Sequence, residues 1–225
     1  METEEQYIEL VKAGDPRAGE LLASDSTYAS ARDAQGVSVV LIAFYHRQPI
    51  LASLFGAVKK PNLDLFEAAA LGEAERVNQL IEAAPVEVDI RSPDGYTALQ
   101  LASFLGQLET ASALVLAGAD PNVRSNNSMH VTAMHAALAG GNLEIVQMLL
   151  EHGGSAKKAG GGRWTPLHYA AAMGNIELVR ELIKRGASPL AHERGGKTPA
   201  DLANENGHYD IVHELAADVG IGDRG

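Results

Sequence analysis

Four threonines recur along the chain at a nearly constant interval: Thr97, Thr132, Thr165 and Thr198 are separated by 35, 33 and 33 residues. Nine residues after each stands a glycine (Gly106, Gly141, Gly174 and Gly207), and twenty-one after the first three stands another (Gly118, Gly153 and Gly186). Self-similarity at such a period limits what the chain can fold into. Each copy must be one small unit that buries its apolar face only against a neighbouring copy.

The residues between these markers define the unit. Thr165 opens Thr-Pro-Leu-His-Tyr-Ala-Ala, and Thr97, Thr132 and Thr198 open Thr-Ala-Leu-Gln-Leu-Ala, Thr-Ala-Met-His-Ala-Ala and Thr-Pro-Ala-Asp-Leu-Ala. A threonine hydroxyl caps a helix N-terminus, and proline at the next position has φ preset for the first turn. Leucine followed by paired alanines gives a narrow apolar stripe, and the first glycine ends the helix in a left-handed conformation. A second helix follows, with apolar residues three and four apart, as in Ile145, Val146, Met148, Leu149 and Leu150 or Ile176, Leu178, Val179, Leu182 and Ile183. The second glycine closes it, and a polar stretch leads to a turn such as Pro93-Asp94-Gly95 or Arg194-Gly195-Gly196.

This unit resembles the ankyrin repeat in period, in its Thr-Pro-Leu-His element and in both glycines. The resemblance implies an all-α solenoid of about seven helix–turn–helix units with short β-hairpin fingers, forming one domain over 1–219 and a frayed tail over 220–225. The expected units are 4–31 as an N-terminal cap, 32–60, 61–91, 92–124, 125–158, 159–191 and 192–218 as a C-terminal cap. The first three are degenerate. Ser38 stands in the threonine position, and aligning the third unit on Gly72 puts Leu63 there, with no finger at Pro61. Gly160-Gly161-Gly162 is read as a finger turn one residue longer than its neighbours. Stacking is expected to bury Leu99, Leu101, Ala102, Leu114, Met134, Leu149, Leu167 and Leu182. His135 and His168 hold the family's histidine position, which implies hydrogen bonds between repeats.

Composition narrows the function. The formal net charge is −11, a field that repels nucleic acid and anionic membranes. Without cysteine there are no disulfides or thiolate sites. The acidic start, Met1 to Glu5, reads as no signal peptide, and the longest apolar run, Val37 to Tyr45, is too short to span a bilayer. The eight histidines are dispersed, so no metal site or cofactor is expected. Gly195-Gly196-Lys197-Thr198 mimics the end of a phosphate-binding loop, but the required first glycine falls on Ala191. No activated serine or catalytic residue is marked. The expectation is a cytoplasmic, monomeric, non-catalytic module.

In the family the ligand meets the concave face, built from finger tips and the exposed side of the first helices. The matching positions give Tyr45, His46, Asp94, Tyr96, Phe104, Leu105, Met129, Trp164, Met173, Arg194 and Lys197 as the expected partner-binding residues. Aromatics make up only 5% of the chain, yet three tyrosine and phenylalanine side chains and the one tryptophan fall on this stripe. Exposed aromatic anchors mark binding sites. Trp164 has a competing role in packing on the finger. The resemblance thus implies an adaptor or scaffold docking a protein or peptide, with the acidic balance favouring a basic or mixed-charge segment. A self-associating structural module is the alternative reading, and an enzyme with a cryptic site the remote one.

Overall fold

A computed structural model describes residues 2–83 and 87–218; the tail expected to fray lies outside them. Among the described residues fourteen α-helices follow one another in pairs: α1 (Glu4–Ala13) and α2 (Arg17–Ser24), α3 (Val39–Tyr45) and α4 (Pro49–Lys59), α5 (Leu65–Leu71) and α6 (Ala74–Ala83), α7 (Ala98–Leu105) and α8 (Leu108–Leu116), α9 (Ala133–Gly140) and α10 (Leu143–Glu151), α11 (Pro166–Met173) and α12 (Ile176–Lys184), α13 (Pro199–Glu205) and α14 (Tyr209–Asp218). The helices group into two compact units, Met1–Ala119 and Asp120–Gly225. Within the first unit α1, α3, α5 and α7 pack side by side; within the second, α9, α11 and α13 do. The helix pairs are those that the repeat implies.

Local chemistry sets the helix ends. Thr97, Thr132, Thr165 and Thr198 are N-caps in extended conformation, each in a reciprocal box with the residue three further on. The glycines after α7, α9 and α11 take φ of 78°, 74° and 75° and close those helices. One closure lacks its glycine. Nine residues after Ser38 stands Arg47 with φ 59°, its N–H donating to the Phe44 carbonyl at 3.0 Å while Gln48 donates to Ala43 at 2.8 Å. Gly141 and Asn142 make the same pair of bonds to Leu138 and Ala137.

The eight side chains expected in the core are all buried, Leu99, Leu114, Met134, Leu149, Leu167 and Leu182 almost completely. Truncating one of these leucines to alanine costs about 2–5 kcal/mol. At the N-terminal end Tyr7 is fully buried, stacks on Tyr28 and donates its hydroxyl to the Ala18 carbonyl at 3.0 Å.

Two details of the expected alignment are corrected. Asp64, not Leu63, caps α5: its carboxylate accepts the N–H groups of Phe66 and Glu67, while Leu63 is buried. A carboxylate can cap and a leucine cannot, so this first helix is simply one residue shorter. The inserted residues lie in another finger. Four fingers close with a main-chain bond between residues four apart (Asp33 to Val37, Ser92 to Tyr96, Gly160 to Trp164, Glu193 to Lys197), whereas Ser125 reaches Val131, six apart. The extra length belongs to 125–131, which accounts for the interval of 35, and the triple glycine makes a turn of ordinary length. The fingers at 32–38 and 91–97 are pinned by single antiparallel bridges, Arg32 with Ser38 and Arg91 with Thr97.

The third helix pair is joined to the second by a short 3-10 turn, Lys60–Asn62, instead of a finger. Charged side chains occupy that place. Glu67, fully buried, accepts from the Lys59 ammonium at 2.6 Å and the Asp64 N–H at 3.0 Å. The Arg32 guanidinium reaches both the Asp64 carboxylate at 2.9 Å and the Gly36 carbonyl at 3.0 Å.

Candidate protein-binding surface

With no finger between them, the turns at Gly36 and Pro93 adjoin; a methyl group at Gly36 would lie 3.6 Å from Pro93 Cγ. The tip of the 92–96 finger therefore reaches α3. Tyr45, at the end of α3, donates its hydroxyl to the Asp94 carboxylate, which also accepts from the Ser92 hydroxyl. Burial of its hydroxyl and the adjacent Asp94 carboxylate hold Tyr45 far above the ordinary tyrosine pKa, so it stays a neutral donor. Tyr96 and Leu105 pack half-buried on the core of this unit, Phe104 is 44% exposed, and His46 is exposed where α3 ends. Of the expected residues of the first unit, Tyr45 and Asp94 are tied by a hydrogen bond and Tyr96 and Leu105 are partly packed on the core.

In the second unit, Met129 and Met173 are exposed, Met129 at 53%. Trp164 is half-buried, its ring centroid 5.0 Å from Tyr169 and 6.0 Å from His168, so it packs on α11, the first helix of its own repeat. Lys197 is exposed with its ammonium 2.7 Å from Glu205, which raises the Lys197 pKa. Arg194 is exposed, and its main-chain N–H donates to Gly162 at 2.7 Å.

The fingers of this unit are held by two histidines. His135 Nδ1 lies 2.8 Å from Thr132 Oγ1 and accepts the Thr132 N–H at 3.3 Å, while Nε2 lies 3.1 Å from the Trp164 carbonyl. His168 repeats this with Thr165 and the Lys197 carbonyl. An imidazole that accepts at Nδ1 and donates at Nε2 is neutral. Burial lowers the His135 pKa to about 4, against partial opposition from the Trp164 carbonyl, and burial also lowers that of His168. Among the described residues no group of three or more His, Asp or Glu side chains is placed to hold a metal ion. Gly195-Gly196-Lys197-Thr198 forms a finger turn and a helix cap: Thr198 exchanges bonds with Asp201.

One exposed apolar surface was not anticipated from the sequence. On α4, Ile50, Leu54 and Val58 lie four apart and face outward, Ile50 at 78% exposure. Ser53 and Lys59 are the only polar side chains of Pro49–Lys59, which is the signal for a helix with more than one apolar side.

Fold, caps and finger geometry define a helical repeat protein whose units stack through their first helices. A family model described as "Ankyrin repeats (3 copies)" matches residues 65–159 and 155–223. The chain belongs to the ankyrin-repeat family, whose members are generally protein–protein interaction modules and typically non-catalytic. It is similar to the ankyrin repeat and SAM domain-containing protein 6 of Rattus norvegicus, 36% identical over 96 residues, 42% of this chain and 11% of that protein. Similarity extends to the transient receptor potential cation channel subfamily A member 1 of Homo sapiens, 36% identical over 89 residues, 39% of this chain and 8% of that protein. A putative ankyrin repeat-containing protein of Treponema pallidum (strain Nichols) is 36% identical over 103 residues, 45% of this chain and 33% of that protein. The chain therefore spans a third or less of these relatives. No helix among the described residues is long and apolar enough to cross a membrane.

Proposed function

We propose that this chain is an adaptor or scaffold that docks a protein or peptide on the face of its finger tips and first helices, the concave face of this family. The observation that carries the reading is the exposed apolar and aromatic side chains at those positions in each unit taken by itself, Tyr45 and Phe104 in the first and Met129 and Met173 in the second. Large apolar side chains left in water, beside preorganised hydrogen-bonding groups such as the Tyr45–Asp94 pair, are the composition of an interface. The family's general role supports it.

Affinity capture tests the site. The full chain and its Phe104→Ala plus Leu105→Ala variant are used as bait against the same extract. Loss of specific partners by the variant is expected; equal capture by both contradicts the assignment. Self-association is favoured by a different observation, the outward apolar row of α4, and light scattering across a concentration series decides it. A mass that rises to a dimer supports that second reading; a constant monomer mass removes it.

A further inference from the structure

We infer that the finger tips of the second unit form a cationic row that docks an acidic polypeptide segment. This names a partner chemistry within the protein-binding reading and rests on it. The chain carries 18 Lys and Arg against 29 Asp and Glu, but its charges are not evenly placed. The finger segments 120–131, 154–165 and 187–198 hold six cations, Arg124, Lys157, Lys158, Arg163, Arg194 and Lys197, against two acids, Asp120 and Glu193. The helical segments between and after them, 132–153, 166–186 and 199–218, hold three cations and nine acids. The fingers thus have the opposite sign to the rest of the unit.

Main-chain hydrogen bonds make the tips one surface. Gly161 N–H donates to the Met129 carbonyl at 2.7 Å and Arg194 N–H to the Gly162 carbonyl at 2.7 Å, so three successive tips lie side by side. The Arg124 guanidinium donates to the Ala159 carbonyl at 2.8 Å, and the Lys158 ammonium to the Asn122 carbonyl at 2.7 Å. For Lys158 the carbonyl orients the ammonium without neutralising it. Arg163 and Arg194 are exposed and enter no ion pair among the described residues. Lys197 is the exception, matched by Glu205, and Glu193 turns its carboxylate back onto the Lys197 N–H of its own finger. Exposed Met129 adds an apolar contact at the same tips. Guanidinium groups match carboxylates in bidentate geometry. A nucleic acid is a poorer fit, because a long polyanion extending past the tips meets the acidic helices.

The test uses the full chain and fluorescence anisotropy at low salt. The probe is a fluorescein-labelled peptide of alternating Glu and Leu, with Gln/Leu and Lys/Leu peptides, oligo-thymidylate and phosphatidylserine vesicles as the other arms. Saturable binding of the Glu/Leu peptide alone is expected, weakened by salt. Arg163→Glu with Arg194→Glu is expected to weaken it by about tenfold or more, and the pair Lys184→Glu with Lys60→Glu, equal in charge change, by less than about twofold. Arg163→Gln with Arg194→Gln gives an intermediate loss, and circular dichroism verifies that each variant is folded. Absence of saturable binding, equal loss in the two Glu pairs, or tighter binding of the oligonucleotide or vesicles overturns the inference. The Phe104→Ala plus Leu105→Ala variant keeps the acidic probe if the tips bind it; loss in that variant alone moves the site to the first unit and also overturns it.

Discussion

His135 Nε2 lies 3.1 Å from the main-chain carbonyl of Trp164, 29 residues further along the chain. The bond ties the first helix of one repeat to the finger of the next; protonation would keep this donor at Nε2 but take away the acceptor at Nδ1. Protonating Nδ1 would set a donor against the Thr132 N–H that it now accepts. Unfolded His titrates near its ordinary 6.5, and folded His135 near about 4. Between those values the unfolded chain binds a proton that the folded chain does not. The contribution is therefore intact above pH 6.5 and is lost as pH falls towards 4, to a total of about 3 kcal/mol. Urea unfolding of the second unit at pH 7 and pH 5 measures it. Gln100 fills this position in the first unit and caps Thr97 through its amide, so His135→Gln is expected to flatten the acid response. An unchanged pH slope in that variant contradicts the assignment.

Arg47 holds a left-handed conformation that a Cβ resists by about 1–2 kcal/mol. Arg47→Gly removes that strain and adds some unfolded-chain entropy, for an expected net gain of about 0.5–1 kcal/mol. The urea midpoint should rise. A fall would mean that the exposed guanidinium does structural work.

Gly161 is required by contact. A methyl group there would stand 2.3 Å from the Met129 carbonyl oxygen, which already accepts the Gly161 N–H. Gly161→Ala is expected to break that bond and cost about 1–3 kcal/mol. Gly19, inside α2 with only Leu51 at 4.0 Å, is the control: Gly19→Ala should stabilise by about 0.5–1 kcal/mol. Thermal melts of the two variants should move in opposite directions.

Thr110 is fully buried in α8, and its hydroxyl has no hydrogen-bond partner among the described residues. A buried polar group left unmatched costs about 1–3 kcal/mol. Thr110→Val keeps the shape and is expected to raise stability by about 1 kcal/mol. Equilibrium unfolding checks it, and a loss of stability would show that the hydroxyl is satisfied.

Much of this architecture is legible in the sequence because repeat chemistry is local. Thr132, His135 and Gly141 announce a cap, a tie and a helix end within ten residues. Where expectation and structure part, two markers conflict: Gly72 sets an alignment of the third repeat that puts Leu63 at the cap although Asp64 is the better capping residue, and the triple glycine suggests a long finger where the interval of 35 places the extra length at 125–131. The surface was less legible. The Tyr45–Asp94 bond joins residues 49 apart and depends on the finger missing at Pro61. Whether Trp164 faces solvent or packs on the helix that follows it depends on the placement of His168 and Tyr169. The outward row on α4 was hidden because a helix whose only polar side chains are Ser53 and Lys59 does not say which apolar face is covered.

Site-specific photocrosslinking tests the central claim most directly. A benzophenone side chain is placed at Phe104, on the proposed face, or at Leu116, an α8 residue that is more exposed at 79%. Each version is irradiated in the same extract. The account expects discrete partner adducts from position 104 that Phe104→Ala plus Leu105→Ala bait fails to capture, and none from position 116. Equal labelling at both, or adducts at 116 alone, contradicts a binding face on the first helices and fingers.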